Sequence, residues 1–285
     1  MEPFIKWAGG KRRFAKDIYD AIGGDISKYK HYYEPFLGSG ALLLHMTPHA
    51  PFCSDINEEL INLYKVIKED VNSLVDLLAN YFLKNHIEYQ QDFYKEIRAW
   101  DKEVDYSKRS SIERAARFLY LNRTCYNGLW RVNRKGNFNV PFGKYKNPLI
   151  VPESQLRAAS EYFNAVDIVF SCMQPSDAVA AAGERDLVYL DPPYDVEQNA
   201  SGFVSYTKSG FNRADQYNLK TLCDSLIDRG ATVAISNSGT EYIRNLYFGD
   251  AESRYLIKKE FSVNRTIGST PESRRVFTEI LIIGQ

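Results

Sequence analysis

The run Val188 to Tyr194, V-Y-L-D-P-P-Y, sets one carboxylate at the end of an apolar strand, then two prolines, then an aromatic ring. At ordinary residue frequencies D-P-P-Y arises by chance in about one chain in a thousand of this length. Pro192 and Pro193 fix φ and carry no N–H, so the turn is stiff and its carbonyls are free to accept hydrogen bonds from another molecule. Asp191 then accepts one amino hydrogen, the Pro192 carbonyl accepts the other, and Tyr194 offers a flat face to the ring that carries the amine. Such a turn grips an aromatic amine. The alternative is a rigid turn packed by Tyr194.

Two more places follow strand-like runs, where open α/β sheets bind ligands. E-P-F-L-G-S-G, Glu34 to Gly40, has glycines that let the backbone turn tightly, and the helix behind it offers free N–H groups. It is neither the dinucleotide pattern G-x-G-x-x-G nor a phosphate loop, and K-W-A-G-G-K at 6–11 does not match the phosphate loop either. Asp55 ends the next strand fifteen residues after Gly40, a placement from which an acid accepts both hydroxyls of a ribose. Read alone, the glycine turn is equally well structural and Asp55 is an ordinary helix-entry residue.

A third feature is charge. From Lys108 to Lys146 ten basic residues stand against one acid, Glu113, giving +9 in a chain whose net charge is zero. Tyr120, Tyr126, Trp130, Phe138, Phe142 and Tyr145 alternate there with Asn122, Asn127, Asn133, Asn137 and Asn139. That mix suits phosphate contact, base stacking and base-edge hydrogen bonding. Charge alone favours a solvated basic face, but Asn-Gly and Lys-Gly-Asn turn signals between strand-like runs predict a β-hairpin, which basic tails lack.

These residues need a scaffold. The pattern predicts a helix over Arg12–Ile22 stopped by Gly23-Gly24, a strand over His31–Phe36, the helical Ala41–Met46, a strand ending at Ser54-Asp55, and a long helix capped by Asn57. Residues 82–163, with a helix over Ile112–Asn122 and the basic hairpin, break the alternation. Strands resume at Val166–Phe170, Leu187–Leu190, Thr232–Ser236, 256–263 and 276–283, with a helix from Arg213 to Arg229 between Asn212 and Gly230. The expectation is an α/β fold with a largely parallel sheet and an antiparallel tail. Residues 1–81 and 164–285 form one domain, and 82–163 a mainly helical insertion with a β-hairpin.

Composition narrows the class. Over 285 residues, 17 Gly, 11 Pro and 25% charged residues exclude collagen-like and disordered chains. No window approaches the roughly 18 apolar residues of a membrane span, and the N-terminus lacks a signal peptide, so a soluble cytoplasmic protein is expected. Cys53, Cys125, Cys172 and Cys223 have no C-x-x-C spacing and are expected reduced and packed. Pro48 between His45 and His49 breaks the only tight histidine pair, so no metal site is expected.

Together, F-I-K-W-A-G-G-K (4–11), E-P-F-L-G-S-G (34–40), S-D-I-N (54–57), F-L-Y-L-N-R (118–123), Y-N-G-L-W-R-V-N (126–133), G-N-F-N-V-P-F-G-K-Y-K (136–146), D-P-P-Y (191–194) and I-S-N-S (235–238) cover nearly the whole chain. In this order they resemble the Dam family of DNA adenine methyltransferases, D12 class, in which the cofactor motif precedes the target-recognition domain and the catalytic D-P-P-Y comes last. The resemblance implies a Rossmann-like methyltransferase sheet and S-adenosylmethionine held by Trp7, Ala8, Gly9, Lys11, Phe36, Gly38, Asp55 and Asp191. It implies catalysis by Asp191, Pro192 and Tyr194 on a flipped-out adenine of double-stranded GATC, without metal, by a monomer.

On the same resemblance Lys6 and Tyr145 read the first guanine, Leu129, Arg131 and Pro141 the second half of the site, and Tyr126 fills the place of the adenine. Arg123, Asn139 and Lys144 contact phosphates, and Asn127 and Asn133 belong to the DNA surface. The segment Ser171–Asp177 supplies no recognisable cofactor contact, and phosphate contacts in Asn264–Arg275 rest on Arg265, Arg274 and Arg275 alone. Two other readings stand beside this one. The same pocket suits amino methylation of cytosine, RNA or a protein glutamine; or the fold is a DNA-binding regulator without catalysis, against which the intact D-P-P-Y argues.

Overall fold

The computed structural model describes residues 1–195, 211–264 and 276–285. Its strands are β1 (Tyr32–Glu34), β2 (Pro51–Asp55), β3 (Val169–Cys172), β4 (Leu187–Leu190), β5 (Thr232–Ser238), β6 (Tyr255–Asn264) and β7 (Val276–Gly284). They form one sheet in the order β3-β2-β1-β4-β5-β7-β6. β1 is parallel to β2 and β4, and β4 to β5, whereas β7 is antiparallel to β5 and β6. The expected α/β architecture with an antiparallel tail is the one adopted. Strand order reverses between β1 and β4, the kind of switch point beside which open sheets bind ligands.

The helices are α1 (Ala15–Ala21), α2 (Ala41–Met46), α3 (Glu58–Leu77), α4 (Lys84–Ala99), α5 (Ser111–Thr124), α6 (Glu153–Ala165), α7 (Pro175–Ala178), α8 (Arg213–Asp228) and α9 (Glu241–Phe248). Their ends follow local chemistry. Asn57 caps α3 by accepting the Leu60 N–H at 3.2 Å, Ser110 and Glu113 form a capping box at α5, and Asn212 and Asp215 form another at α8. Gly230, at φ +85°, closes the end of α8 in the left-handed region.

Three elements depart from expectation. β1 stops at Glu34 because Pro35 brings no N–H to the ladder. β3 begins at Val169 and not Val166, since Val166–Ile168 form a turn in which the Ile168 N–H reaches the Val166 carbonyl at 2.9 Å. The basic hairpin is a return loop without regular strands, joined by single bridges Val132↔Phe138 and Cys125↔Phe142. Pro141 cannot donate to a ladder, and residues 131–136 are exposed, with no layer to pack against. All four cysteines are free; Cys172, contrary to expectation, is exposed.

The chain divides into two compact units, Met1–Ala15, Leu37–His49 and Ser54–Met173 in the first, Lys16–Phe36, Ala50–Cys53 and Gln174–Gln285 in the second. Residues 82–163 lie within the first. In the second unit Val188, Leu190, Val233, Ile235, Ile280 and Ile282 of the sheet pack with Leu219, Cys223 and Leu226 of α8 and Ile243 of α9. In the first, Tyr120 of α5 sits among the rings of Phe82, His86, Phe93 and Tyr94, with centroids 5.4–6.4 Å away. Edge-on and tilted aromatic pairs of this kind add stability beyond the area they bury.

Candidate active site and nucleic-acid surface

In the second unit all four residues of β4 are buried, so the chain leaves the sheet at Asp191 with its direction already fixed. The turn is then clamped from three sides. Gln216 of α8 donates its side-chain N–H to the Pro193 carbonyl at 2.8 Å, and its own carbonyl accepts from the Asn237 amide at 3.0 Å. Asp195 accepts from Arg213 Nε at 3.2 Å and from the Thr240 hydroxyl at 3.1 Å. The Tyr194 hydroxyl donates to Glu279 Oε2 of β7 at 3.1 Å. Among the described residues nothing donates to the Pro192 carbonyl.

Burial first, and the charge of Asp191 second, push the Tyr194 phenol well above its ordinary range, so it is a donor throughout the neutral range. Phe36, two residues beyond β1, is half-buried and packs edge-on against Phe211, with centroids 6.0 Å apart.

The glycine turn lies in the first unit. Gly38, at φ +48°, donates its N–H to Asp55 Oδ2 at 3.1 Å, and Asp55 Oδ1 accepts from Asn57 N–H at 2.9 Å. Burial pushes the Asp55 carboxyl up, while the N–H groups of Asn57, Gly38 and Ile56 pull it back. A carboxylate has roughly four acceptor positions, so three N–H donors leave room for a hydroxyl. The Trp7 indole lies directly on the turn: a Cβ on Gly38 would fall 2.6 Å from Trp7 Nε1. Ala8 and Gly9 are exposed, and the buried Lys11 donates through Nζ to the Gly9 carbonyl at 2.5 Å.

The recognition residues share this unit. Lys6 Nζ stands 4.1 Å over the Tyr145 ring, whose hydroxyl accepts the Asn127 N–H at 2.9 Å. Burial and then Arg123 lower the Lys6 ammonium from its usual range. Tyr126 is 53% exposed at the mouth of the loop. Leu129 is half-buried and Pro141 exposed, with the Pro141 carbonyl accepting the Tyr126 N–H at 2.8 Å.

Arg131 Nε donates to Asn139 Oδ1 at 2.7 Å, so Asn139 steers the guanidinium. The Asn133 side chain accepts from the N–H groups of Lys135 and Asn137, which makes it a turn former. Arg123 donates to the Phe4 carbonyl at 2.5 Å, and Lys144 is exposed.

The basic run is less basic at the surface than its count suggests. Arg114 pairs with Glu58 and Glu59, Arg109 with Glu103 and Glu113, and Arg117, 1% exposed, with Asp101 at 2.8 Å. The exposed cations are Arg131, Arg134, Lys135, Lys144 and Lys146 of the loop and Lys108, which pairs with Asp105. The sequence marked no role for Gln216, Glu279, Thr240 or Arg213, and Asn237 was marked only by lying inside a run that carried the resemblance. Asn122, Tyr120 and Phe138, expected among the nucleic-acid contacts, are instead buried, because their helix and loop pack them into the interior. The expected contacts of Arg265, Arg274 and Arg275 lie outside the described residues.

A parallel-centred sheet with a glycine turn after β1 and an acid-proline turn after β4 places the chain in the α/β class. Residues 7–263 match the family described as D12 class N6 adenine-specific DNA methyltransferase. The chain is 38% identical to the type II methyltransferase M1.LlaDCHI of Lactococcus lactis subsp. cremoris, over 99% of this chain and 95% of that one. It is 38% identical to the type II methyltransferase M.MjaIII of Methanocaldococcus jannaschii, over 91% and 92%. It is 33% identical to the DNA adenine methylase of Escherichia coli strain K12, over 98% and 94%. The chain belongs to the D12 class of N6 adenine-specific DNA methyltransferases. It is an enzyme that acts on DNA. No described helix is long and apolar enough to cross a membrane, and no three described His, Cys, Asp or Glu side chains are grouped to hold a metal ion.

Proposed function

We propose that the enzyme moves a methyl group from S-adenosylmethionine to the exocyclic nitrogen of an adenine extruded from duplex GATC. S-adenosylmethionine supplies an electrophilic methyl on a sulfonium. Asp55 accepts a ribose hydroxyl, Gly38 seats the Trp7 indole on the turn, and Trp7, Ala8, Gly9, Lys11 and Phe36 complete the binding residues. Residues 82–163 act as the target-recognition insertion in a catalytic domain made of 1–81 and 164–285. Two of the relatives above bear type II methyltransferase names, which suits a restriction-modification setting.

The chemistry of the acceptor rests on the turn. Extrusion of the base costs a few kcal/mol of stacking and pairing, least where the vacated space is refilled, here by the exposed Tyr126. Asp191 accepts one amino hydrogen and the Pro192 carbonyl the other, which turns the nitrogen lone pair outward while Tyr194 stacks on the ring. As the N–C bond forms and the C–S bond breaks, the extra proton on nitrogen has Asp191 as its nearest acceptor. Positioning of this sort supplies most of the acceleration, and no covalent enzyme intermediate is needed.

The single observation that supports this reading is the division of labour in the turn: Gln216 takes the Pro193 carbonyl, while among the described residues the Pro192 carbonyl has no donor. The test is transfer of tritiated methyl from S-adenosylmethionine to duplexes changed at each GATC position. Asp191→Ala is expected to lower transfer by about 10²–10⁴-fold while cognate DNA binding persists. Undiminished transfer by this variant removes Asp191 from the mechanism.

A further inference from the structure

Asn122 is fully buried on α5, yet its side chain is occupied by backbone outside its helix, 116 residues before it at Lys6 and six after it at Gly128. Its Oδ1 accepts the Lys6 N–H at 2.9 Å; its Nδ2 donates to the Lys6 carbonyl at 2.7 Å and to the Gly128 carbonyl at 3.1 Å. The amide thus pairs with Lys6 as a neighbouring strand would, and ties the same residue to the base of the recognition loop. The fit is close: a Cβ on Gly128, at φ +65°, would fall 2.4 Å from Lys6 Cβ. Beyond this point the Lys6 ammonium lies over Tyr145, and Tyr145 holds Asn127.

The next residue carries the connection the other way. Trp7 rests on Gly38, and Gly38 is bonded to Asp55. The Trp7 ring also stacks on Phe118 with centroids 6.5 Å apart, Phe118 meets Trp130 at 4.0 Å, and Trp130 meets Phe138 of the loop at 4.8 Å. Rings in contact of this kind pass strain from one to the next, because a dense interior is poorly compressible. Cofactor turn and recognition loop therefore share one short N-terminal segment, and Asn122 fixes where that segment lies.

We propose that Asn122 is a specificity-determining positioning residue: it sets the register of Lys6 against Gly128 and Tyr145, so that occupancy of the glycine turn sharpens reading of the target sequence. The inference rests on the donor and the DNA site proposed above. Coupling of this kind is reciprocal, so DNA tightens the cofactor by the same factor. Asn122→Asp is the discriminating change. It keeps shape and the acceptor for Lys6 N–H but sets oxygen against the Lys6 and Gly128 carbonyls.

The experiment measures the dissociation constant for cognate and first-guanine-substituted duplexes, with and without S-adenosylhomocysteine, alongside methyl transfer. The wild type is expected to bind cognate DNA about fivefold or more tighter with the cofactor product present. In Asn122→Asp that ratio falls toward one and discrimination at the first guanine drops by a similar factor, while affinity of the DNA-free enzyme for S-adenosylhomocysteine stays within about twofold. Lys6→Met, which keeps the backbone pairing, is expected to lose the discrimination but keep the ratio. Equal weakening on both duplexes with an unchanged ratio in Asn122→Asp overturns the proposal, as does full discrimination in Lys6→Met. Failure of the functional reading shows instead in the wild type, as absent methyl transfer, and overturns both.

Discussion

Tyr194 illustrates how a residue with an obvious task depends on one without. Its ring is the proposed stacking face, but its angle is held by a hydroxyl donating to Glu279, 85 positions away in the chain. A hydrogen bond to a carboxylate is worth about 1.5–3 kcal/mol, and every 1.4 kcal/mol is tenfold in rate. Tyr194→Phe, which keeps the face and loses the tether, is expected to slow single-turnover methyl transfer by about 10- to 100-fold. Tyr194→Ala removes the face as well and should cost more, since base stacking alone carries about 1–3 kcal/mol. Equal losses in the two variants would show that the hydroxyl, and not the ring, does the positioning. The Asp-Pro-Pro-Tyr run was readable because it is contiguous. Its clamps were not, because Gln216 and Glu279 reach it from α8 and β7, and no local pattern marks a side chain for a distant partner.

At the scale of elements, α5 has to be rigid for the loop beyond it to have a fixed origin. Arg117 supplies part of this: it is almost fully buried, donates to the carbonyls of Ile97 and Arg98, and pairs with Asp101. The same Asp101 carboxylate accepts the Phe138 N–H at 2.6 Å, and the Asp101 carbonyl accepts the Asn137 side chain at 2.7 Å. One buried ion pair thus links helix and loop. Removing one partner leaves the other charged and dry, which typically costs about 3–5 kcal/mol. Arg117→Met should lose that much stability in urea unfolding; a loss below about 1 kcal/mol would mean that water enters the site.

The elements with strong local signals, α2, β4 and α8, lie where the sequence placed them. The loop does not form the expected ladder, and the basic run misled for a related reason. Arg109, Arg114 and Arg117 are balanced chiefly by acids outside the run, Glu58, Glu59, Asp101 and Glu103, and a count along the chain cannot see across it.

For the molecule as a whole, net charge is zero, so on the proposed reading attraction to DNA depends on local groups such as the exposed cations of the loop. Each phosphate contact contributes about one unit to the slope of log affinity against log salt. Lys144→Ala is therefore expected to reduce that slope by about one on cognate and scrambled duplexes alike, whereas Arg114→Ala, whose charge is already matched, should leave it unchanged. Equal slopes for Lys144→Ala and the parent would take Lys144 off the DNA surface.

The strand order has a consequence for synthesis. β6 precedes β7 in the chain but, among the described residues, is joined to the other strands only through β7, which lies between it and β5. A growing chain that has emerged as far as β6 carries a ten-residue ribbon with nothing to pair with, next to an open flank at β5. Both are templates for another chain until β7 arrives to close them together. Slow translation through that stretch should make the nascent protein prone to self-association.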